Sequence, residues 1–409
     1  MSQTDCTRLL GGWEGYGIGS IGRFEAGENG PRAQVWIELL ARDSKRMRCS
    51  GCGGLVSQVH DHEPRWVRDL PVLDADTWLL VWRRRVRCPA CGPKLEELPW
   101  LGRYDRATAR FCESVGRLCE AMTVKHVAAY FGLSWWRAKA MDKEYMAKKL
   151  GPPDLSDVTV IGMDEFALRK GHRYATIIVE PATKRVLWVG KGRSRETLRE
   201  FFQELGPEGR GRIQAVVMDM NGAFEAEVRA NCPQAEIVYD LFHVVAKYSR
   251  EVITPVVGEE AKRASDRGRK VVRGSRWLLL RRREGMQRTA DRIRLDELLD
   301  ANRNLMKVYV LGEDLRQLWA YKYPKSALKF WRDWHRRAMR SGIEALRKFA
   351  IRLKPYARGI IAHCRYRLHT SLLEGINNKI KVIKRMAYGF RDDDYFFLKI
   401  KAAFPGIPR

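Results

Sequence analysis

The chain has 409 residues, 45% of them hydrophobic, and 76 Lys+Arg against 49 Asp+Glu give a formal net charge of +27. That length predicts two to four domains, and that charge predicts a polyanionic partner. No apolar run approaches the roughly 18 residues that span a bilayer, and Met1–Gly12 lacks a basic start followed by an apolar core. The expectation is therefore a cytoplasmic, nucleoid-associated protein with no membrane partner, its nine cysteines reduced or metal-bound.

Residues 1–104 read as strands and turns. The alternation in Ala33–Leu40 and Thr77–Val86 predicts strands, each leading to a cysteine pair, Cys49-Ser-Gly-Cys52 and Cys88-Pro-Ala-Cys91. Two C-x-x-C pairs, followed by Gly53 and Gly92, suit two knuckles gripping one tetrahedral zinc, a zinc ribbon. His60 and His62 lie between the knuckles, but four thiolates already fill the shell, so they are read as solvated. With no open coordination position, the zinc is structural.

Helical periodicity takes over at 105–150. Ala107–Met122 is one amphipathic stretch that carries Cys112 and Cys119 on one face, as core thiols. Thr123 to Phe131, Gly132, Ser134 and the basic run after it read as helix, turn, serine cap and second helix. This is a helix-turn-helix, with the helix from Ser134 as recognition helix.

Gly151-Pro-Pro-Asp154 marks a domain boundary. Beyond it the pattern predicts strands at 158–168, 173–180 and 185–191, a helix at 194–205, a strand ending at Asp219, a short helix at 222–231 and a strand at 236–240. Three strands, a helix and a strand fit an α/β RNase H-like catalytic core over 155–244, in which the first and fourth strands lie side by side. Residues 245–373 are helical and hold 32 Lys+Arg against 13 Asp+Glu. They read as a basic all-α insertion that interrupts the core, which resumes over 374–409.

Three carboxylates carry the chemistry. Asp164 and Asp219 each end an apolar run, and Glu374 sits in the helical Ser371-Leu-Leu-Glu374-Gly-Ile-Asn377-Asn378-Lys379-Ile-Lys381. Two strand-end aspartates and a helical glutamate suit a pair of Mg²⁺ (or Mn²⁺) ions acting on phosphates. Glu165 neighbours Asp164, but successive strand residues face opposite ways, so one of the two is a ligand and Asp164 is taken. Asn378 and Lys381 share the face of Glu374. A lysine there can meet a phosphate.

These pieces resemble bacterial insertion-sequence transposases of the ISL-three family, a group of D-D-E transposases. The resemblance rests on the two cysteine pairs, Arg65-Trp-Val-Arg-Asp-Leu-Pro71, Ile161-Gly-Met-Asp164, Lys170-Gly-His172-Arg-Tyr174, Val217-Met-Asp219, Asp240-Leu-Phe-His243 and Leu373 to Phe390. It implies a zinc finger, a helix-turn-helix, a catalytic domain with an insertion, and activity on the terminal inverted repeats of the element. It also implies a place near the active site for His243, whose alternative is a locally satisfied core histidine.

The function expected is Mg²⁺-dependent strand cleavage at element ends, followed by attack of the 3′-hydroxyl on target DNA, by a chain at least dimeric on double-stranded DNA. The alternative is a zinc-ribbon and helix-turn-helix DNA-binding regulator with a non-catalytic core.

Overall fold

The computed structural model describes residues 11–27, 32–42, 46–169, 171, 173–274, 276–281, 285–366 and 371–407. The chain forms two compact units: residues up to Gly151 together with Lys384–Ala403, and Pro152–Ile383 together with residues from Phe404 onward.

In the first unit, strands β1 (Tyr16–Phe24), β2 (Gln34–Ala41), β5 (Val59–Val72), β6 (Ala75–Cys88) and β7 (Gly92–Leu95) make one sheet. Its order is β1-β2-β6-β5, with β7 also on β6. Along β6, Thr77, Leu79 and Val81 are buried and alternate with half-buried Trp78, Leu80 and Trp82, the period of two that marked it as a strand. Leu79 and Val81 join Trp13, Tyr16, Ile37, Leu39 and Trp100 in the core. The short β3 (Met47–Arg48) and β4 (Leu55–Val56) pair beside the first cysteines.

Three helices follow, α1 (Ala109–Ala121), α2 (Val124–Phe131) and α3 (Trp135–Leu150). Thr108, Thr123 and Ser134 cap them through side-chain oxygens that accept from Phe111, His126 and Arg137 N–H groups. Gly132 ends α2 with φ +64°, a left-handed position that favours glycine. Cys119 is buried and Cys112 half-buried in this helical core, as expected of core thiols, and burial pushes them up to about 12 and 11. The Arg65–Pro71 segment ties sheet to helices. The Asp69 carboxylate accepts from Trp13 Nε1 (3.0 Å), Thr108 Oγ1 (2.7 Å) and Arg110 Nε (2.8 Å). Buried Arg68 pairs with Asp76 at 2.5 Å and donates to Phe131 O.

In the second unit, β8 (Val160–Arg169), β9 (Arg173–Glu180), β10 (Arg185–Lys191), β11 (Ala215–Met218) and β12 (Glu236–Tyr239) form a sheet in the order β10-β9-β8-β11-β12. The first three run antiparallel, whereas β11 is parallel to both β8 and β12. Every strand expected here is present. Helix α4 (Arg195–Arg212) runs further than expected, across a kink at Gly206-Pro207, and α5 (Gly222–Asn231) joins β11 to β12. Ile161, Met163, Val216 and Met218 face the large core, while Val160, Val217 and Val238 face a small cluster with Ala362.

After β12 every described element is helical: α6 (Leu241–Tyr248), α7 (Thr254–Arg263), α8 (Asp266–Gly274), α9 (Arg276–Leu279), α10 (Thr289–Ala301), α11 (Arg303–Gln317), α12 (Pro324–Met339), α13 (Glu344–Leu353), α14 (Ala357–Ala362) and α15 (Ser371–Met386). Tyr248, Trp334 and Phe349 of these helices belong to the same hydrophobic cluster as the sheet. The sequence reading joins 374–409 into one piece. The compact units divide it, since Lys384–Ala403, including α16 (Asp393–Ala403), groups with the first unit.

Candidate active site, zinc knuckles and helix-turn-helix

The four cysteines converge. The Sγ atoms of Cys49, Cys52, Cys88 and Cys91 lie within 4.8 Å of one another, and Cys52 and Cys88 are 3.7 Å apart. Tetrahedral zinc with Zn–S near 2.3 Å needs sulfur separations of about 3.8 Å, so the set fits the ion. Gly53 (φ +69°) and Gly92 (φ +70°) turn the chain tightly after each pair. Burial alone would raise the Cys49 thiol. The N–H groups of Gly51 and Cys52 outweigh it and bring the thiol down to about 7, toward the thiolate that binds metal. His60 and His62 stand apart from the cluster, on β5.

In the second unit, strand register builds the carboxylate site. Val217 pairs with Gly162 on one side and with Val238 on the other. Two residues on, Asp219 therefore stands between Asp164 and Asp240, all three on one face at the carboxyl ends of parallel strands, where α/β sheets place their ligands. Asp164 Oδ1 accepts from Glu165 N (2.7 Å) and Oδ2 from Asn377 Nδ2 (2.6 Å). Burial, with the Asp219 charge adding to it, pushes Asp164 up to about 6. Asp240 caps α6 by accepting from Phe242 N (2.8 Å), which brings His243, one turn on, to 2.7 Å from Asp219 Oδ1. Burial works against the charged imidazole, but the Asp219 carboxylate outweighs it and holds His243 above the usual value. Donor atoms of Asp219, Asp240 and His243 lie within 4.8 Å of one another.

Glu374 is exposed in the first turn of α15, one turn before Asn377. Leu373 packs against Gly162 of β8, where a Cβ would come within 3.3 Å of its side chain. The helix thus docks beside Asp164. Lys381, two turns on, is exposed and donates to Asn378 Oδ1 (3.3 Å). Glu165 has its own partners, Asn221 Nδ2 (2.7 Å) and Arg193 (3.8 Å), but still feels the charge of Asp219. The structure brings together Asp164, Asp219 and His243. It adds Asn377, three residues after Glu374 and on its helix face, and Asp240, whose spacing to His243 was the available signal. Lys170 and His172 lie outside the described residues.

In the first unit, α3 presents Trp136 and Arg137 to solvent, Trp136 at 73% exposure. On the same helix Lys139 lies over the Trp136 ring and pairs with Asp392 (2.7 Å), just before α16, and buried Asp142 pairs with Lys399 of α16 (2.7 Å) and accepts from the Tyr395 hydroxyl.

Residues 161–400 match the family model described as transposase, of the ISL3 group. The chain belongs to the ISL3 transposases. Residues 96–146 match the helix-turn-helix domain of transposase family ISL3, and 45–91 match the zinc-finger of transposase IS204/IS1001/IS1096/IS1165. The chain is 50% identical over 403 residues to the transposase for insertion sequence element IS1001 of Bordetella parapertussis, covering 98% of each. It is 27% identical over 400 residues to the transposase for IS1557 of Mycobacterium tuberculosis (strain ATCC 25618 / H37Rv), covering 90% of this chain and 88% of that one. In this ISL3 transposase the zinc ribbon and helix-turn-helix precede the transposase domain, in the order the sequence predicts.

Proposed function

We propose that this transposase binds the terminal inverted repeats of its insertion sequence, cleaves DNA strands there and joins the freed 3′-hydroxyl ends to target DNA. The observation that carries this reading is the register that sets Asp164 beside Asp219 under the helix bearing Glu374. The strand order, with three antiparallel strands and two further parallel ones beside the first, supports an RNase H-like core. The helices between β12 and α15 are its insertion.

Asp164, Asp219 and Glu374 would hold two Mg²⁺ or Mn²⁺ ions. The oxygen donors suit hard cations, and the Asp219 charge beside the largely buried Asp164 carboxylate leaves a negative charge that a cation relieves. When bound, such ions lower the pKa of an attacking water or 3′-hydroxyl and stabilise the leaving oxygen. The chain's own groups hold the geometry. Asn377 fixes the Asp164 carboxylate, His243 fixes Asp219, and Asp240 sets His243 by capping its helix. Lys381 contacts a DNA phosphate. The partner is double-stranded DNA, engaged as at least a dimer in the cytoplasm, and the basic helices of 245–373 contribute general affinity.

The test incubates Asp164→Asn, Asp219→Asn and Glu374→Gln with a labelled element end and Mg²⁺, measuring nicked product and bound DNA separately. All three lose cleavage and strand transfer while keeping end binding. Glu165→Gln, whose carboxylate is held by Asn221, still cuts. Normal cutting by Asp164→Asn, or loss confined to Glu165→Gln, overturns the assignment.

A further inference from the structure

A cavity of about 610 Å³ opens between α12, α14 and the start of β12, far along the strands from the aspartates at their other ends. Its size falls within the roughly 300–1,000 Å³ of small-molecule sites. Leu328, Trp331 and Ile361 give it an apolar floor, and the exposed Arg332, Lys354 and Arg358 surround its mouth. None of these three cations has a side-chain ion pair among the described residues. His335 lines the same cavity, and its Nε2 is buried with no hydrogen-bond partner among the described residues. Arg365 borders the cavity too, tied to Glu236 at 2.9 Å, and both continue with Arg358 into an adjoining hollow of about 320 Å³.

An apolar slot edged by an indole, with three unpaired cations at the mouth, is a specific combination. An acyl chain alone would satisfy the floor but not the cations. A bare phosphate would satisfy the mouth but leave the floor empty. A nucleotide satisfies both: a flat base buries against Trp331 and Leu328, and the phosphate meets the guanidinium groups.

We infer that this cavity is a nucleotide-binding site, separate from the carboxylate site, that takes one base with its phosphate. The nucleotide comes either from solution or from DNA, as a residue unstacked from the duplex. The inference does not depend on the catalytic reading, since it uses none of Asp164, Asp219 or Glu374.

The full-length protein is titrated with ATP, adenosine and inorganic phosphate by calorimetry. ATP binds about tenfold or more tightly than either fragment, because stacking and charge-assisted contacts act together. Ala357→Trp, which fills the cavity without changing charge, removes ATP binding, and Arg332→Ala with Arg358→Ala weakens it by about tenfold. A second arm binds a duplex taken from the DNA flanking the gene, with 2-aminopurine replacing successive adenines. If the nucleotide comes from DNA, one position brightens on binding, and Ala357→Trp abolishes the brightening while the duplex stays bound. If it comes from solution, ATP binds and no position brightens. Wild-type protein that neither binds ATP better than phosphate nor brightens any position overturns the inference, and so does ATP binding that survives both sets of substitutions.

Discussion

His243 Nε2 lies 2.7 Å from Asp219 Oδ1, and the contact exists because Asp240, the neighbour of Asp219 across the sheet, caps the helix that carries His243. One aspartate thus positions a histidine that in turn orients another aspartate, in the manner of groups that orient metal ligands from behind.

His243→Ala should therefore lower end cleavage by about 10–100-fold while leaving end binding intact. Asp240→Ala should give a similar loss, accompanied by a less stable α6. Cleavage and binding measured on the same labelled DNA check this. Unchanged cleavage in His243→Ala would return that residue to an ordinary structural role.

The raised Asp164 fixes a pH dependence. Its carboxyl stands at about 6 in the metal-free fold against an ordinary value of 3.8. The group stabilises the metal-free fold below the ordinary value, and that contribution is lost as pH rises through about 6. Asp164→Asn should therefore stabilise metal-free protein at pH 7, by on the order of 1–3 kcal/mol. Thermal melts in EDTA at pH 5 and pH 7 test this; the gain should shrink at the lower pH. Mn²⁺ binding should weaken as pH falls below about 6, because cation and proton compete for one carboxylate.

Removal of zinc should unfold the knuckles. Cys49→Ser and Cys88→Ser both lose metal whose binding free energy, on the order of 10 kcal/mol, is folding free energy here. Limited proteolysis should then cut within 45–97 first. Metal analysis of fresh protein should give one zinc per chain, and zinc kept by Cys88→Ser would shift attention to His60 and His62.

Asp142 is fully buried between Lys399 and Tyr395. Asp142→Ala strands the Lys399 ammonium and should cost about 3–5 kcal/mol. Asp142→Leu combined with Lys399→Met should recover most of that loss, which urea melts of the two variants would reveal.

On α3, Trp136 and Arg137 face solvent at the start of the helix. Trp136→Ala with Arg137→Ala should reduce discrimination of element ends from unrelated DNA more than it reduces general affinity, because general affinity comes from phosphate contacts. Competition binding at several salt concentrations measures both.

Local chemistry made much of this legible from sequence. The glycine after each cysteine pair, the Thr123 and Ser134 caps and the alternation in β6 are encoded within a few residues of where they act. Asp164 and Asp219 could be paired because apolar runs ended on both. Asn377 was harder to foresee: its amide reaches a carboxylate 213 positions away, and only the packing of Leu373 on Gly162 puts it there. The partners of α3 were equally hidden. Lys139 belongs to the basic run of the second helix, yet it is buried against Asp392, 253 positions on.

That last pairing sets an order of events during synthesis. The ribosome finishes α3 early, but Asp142 gains its cation, and Lys139 its anion, only when residues 392–399 emerge. In a chain that stops short of them, neither Asp142 nor Lys139 has its partner. The packing of α3 thus waits on a segment made 253 residues after Lys139, and the helix is finished only once α16 has been synthesised.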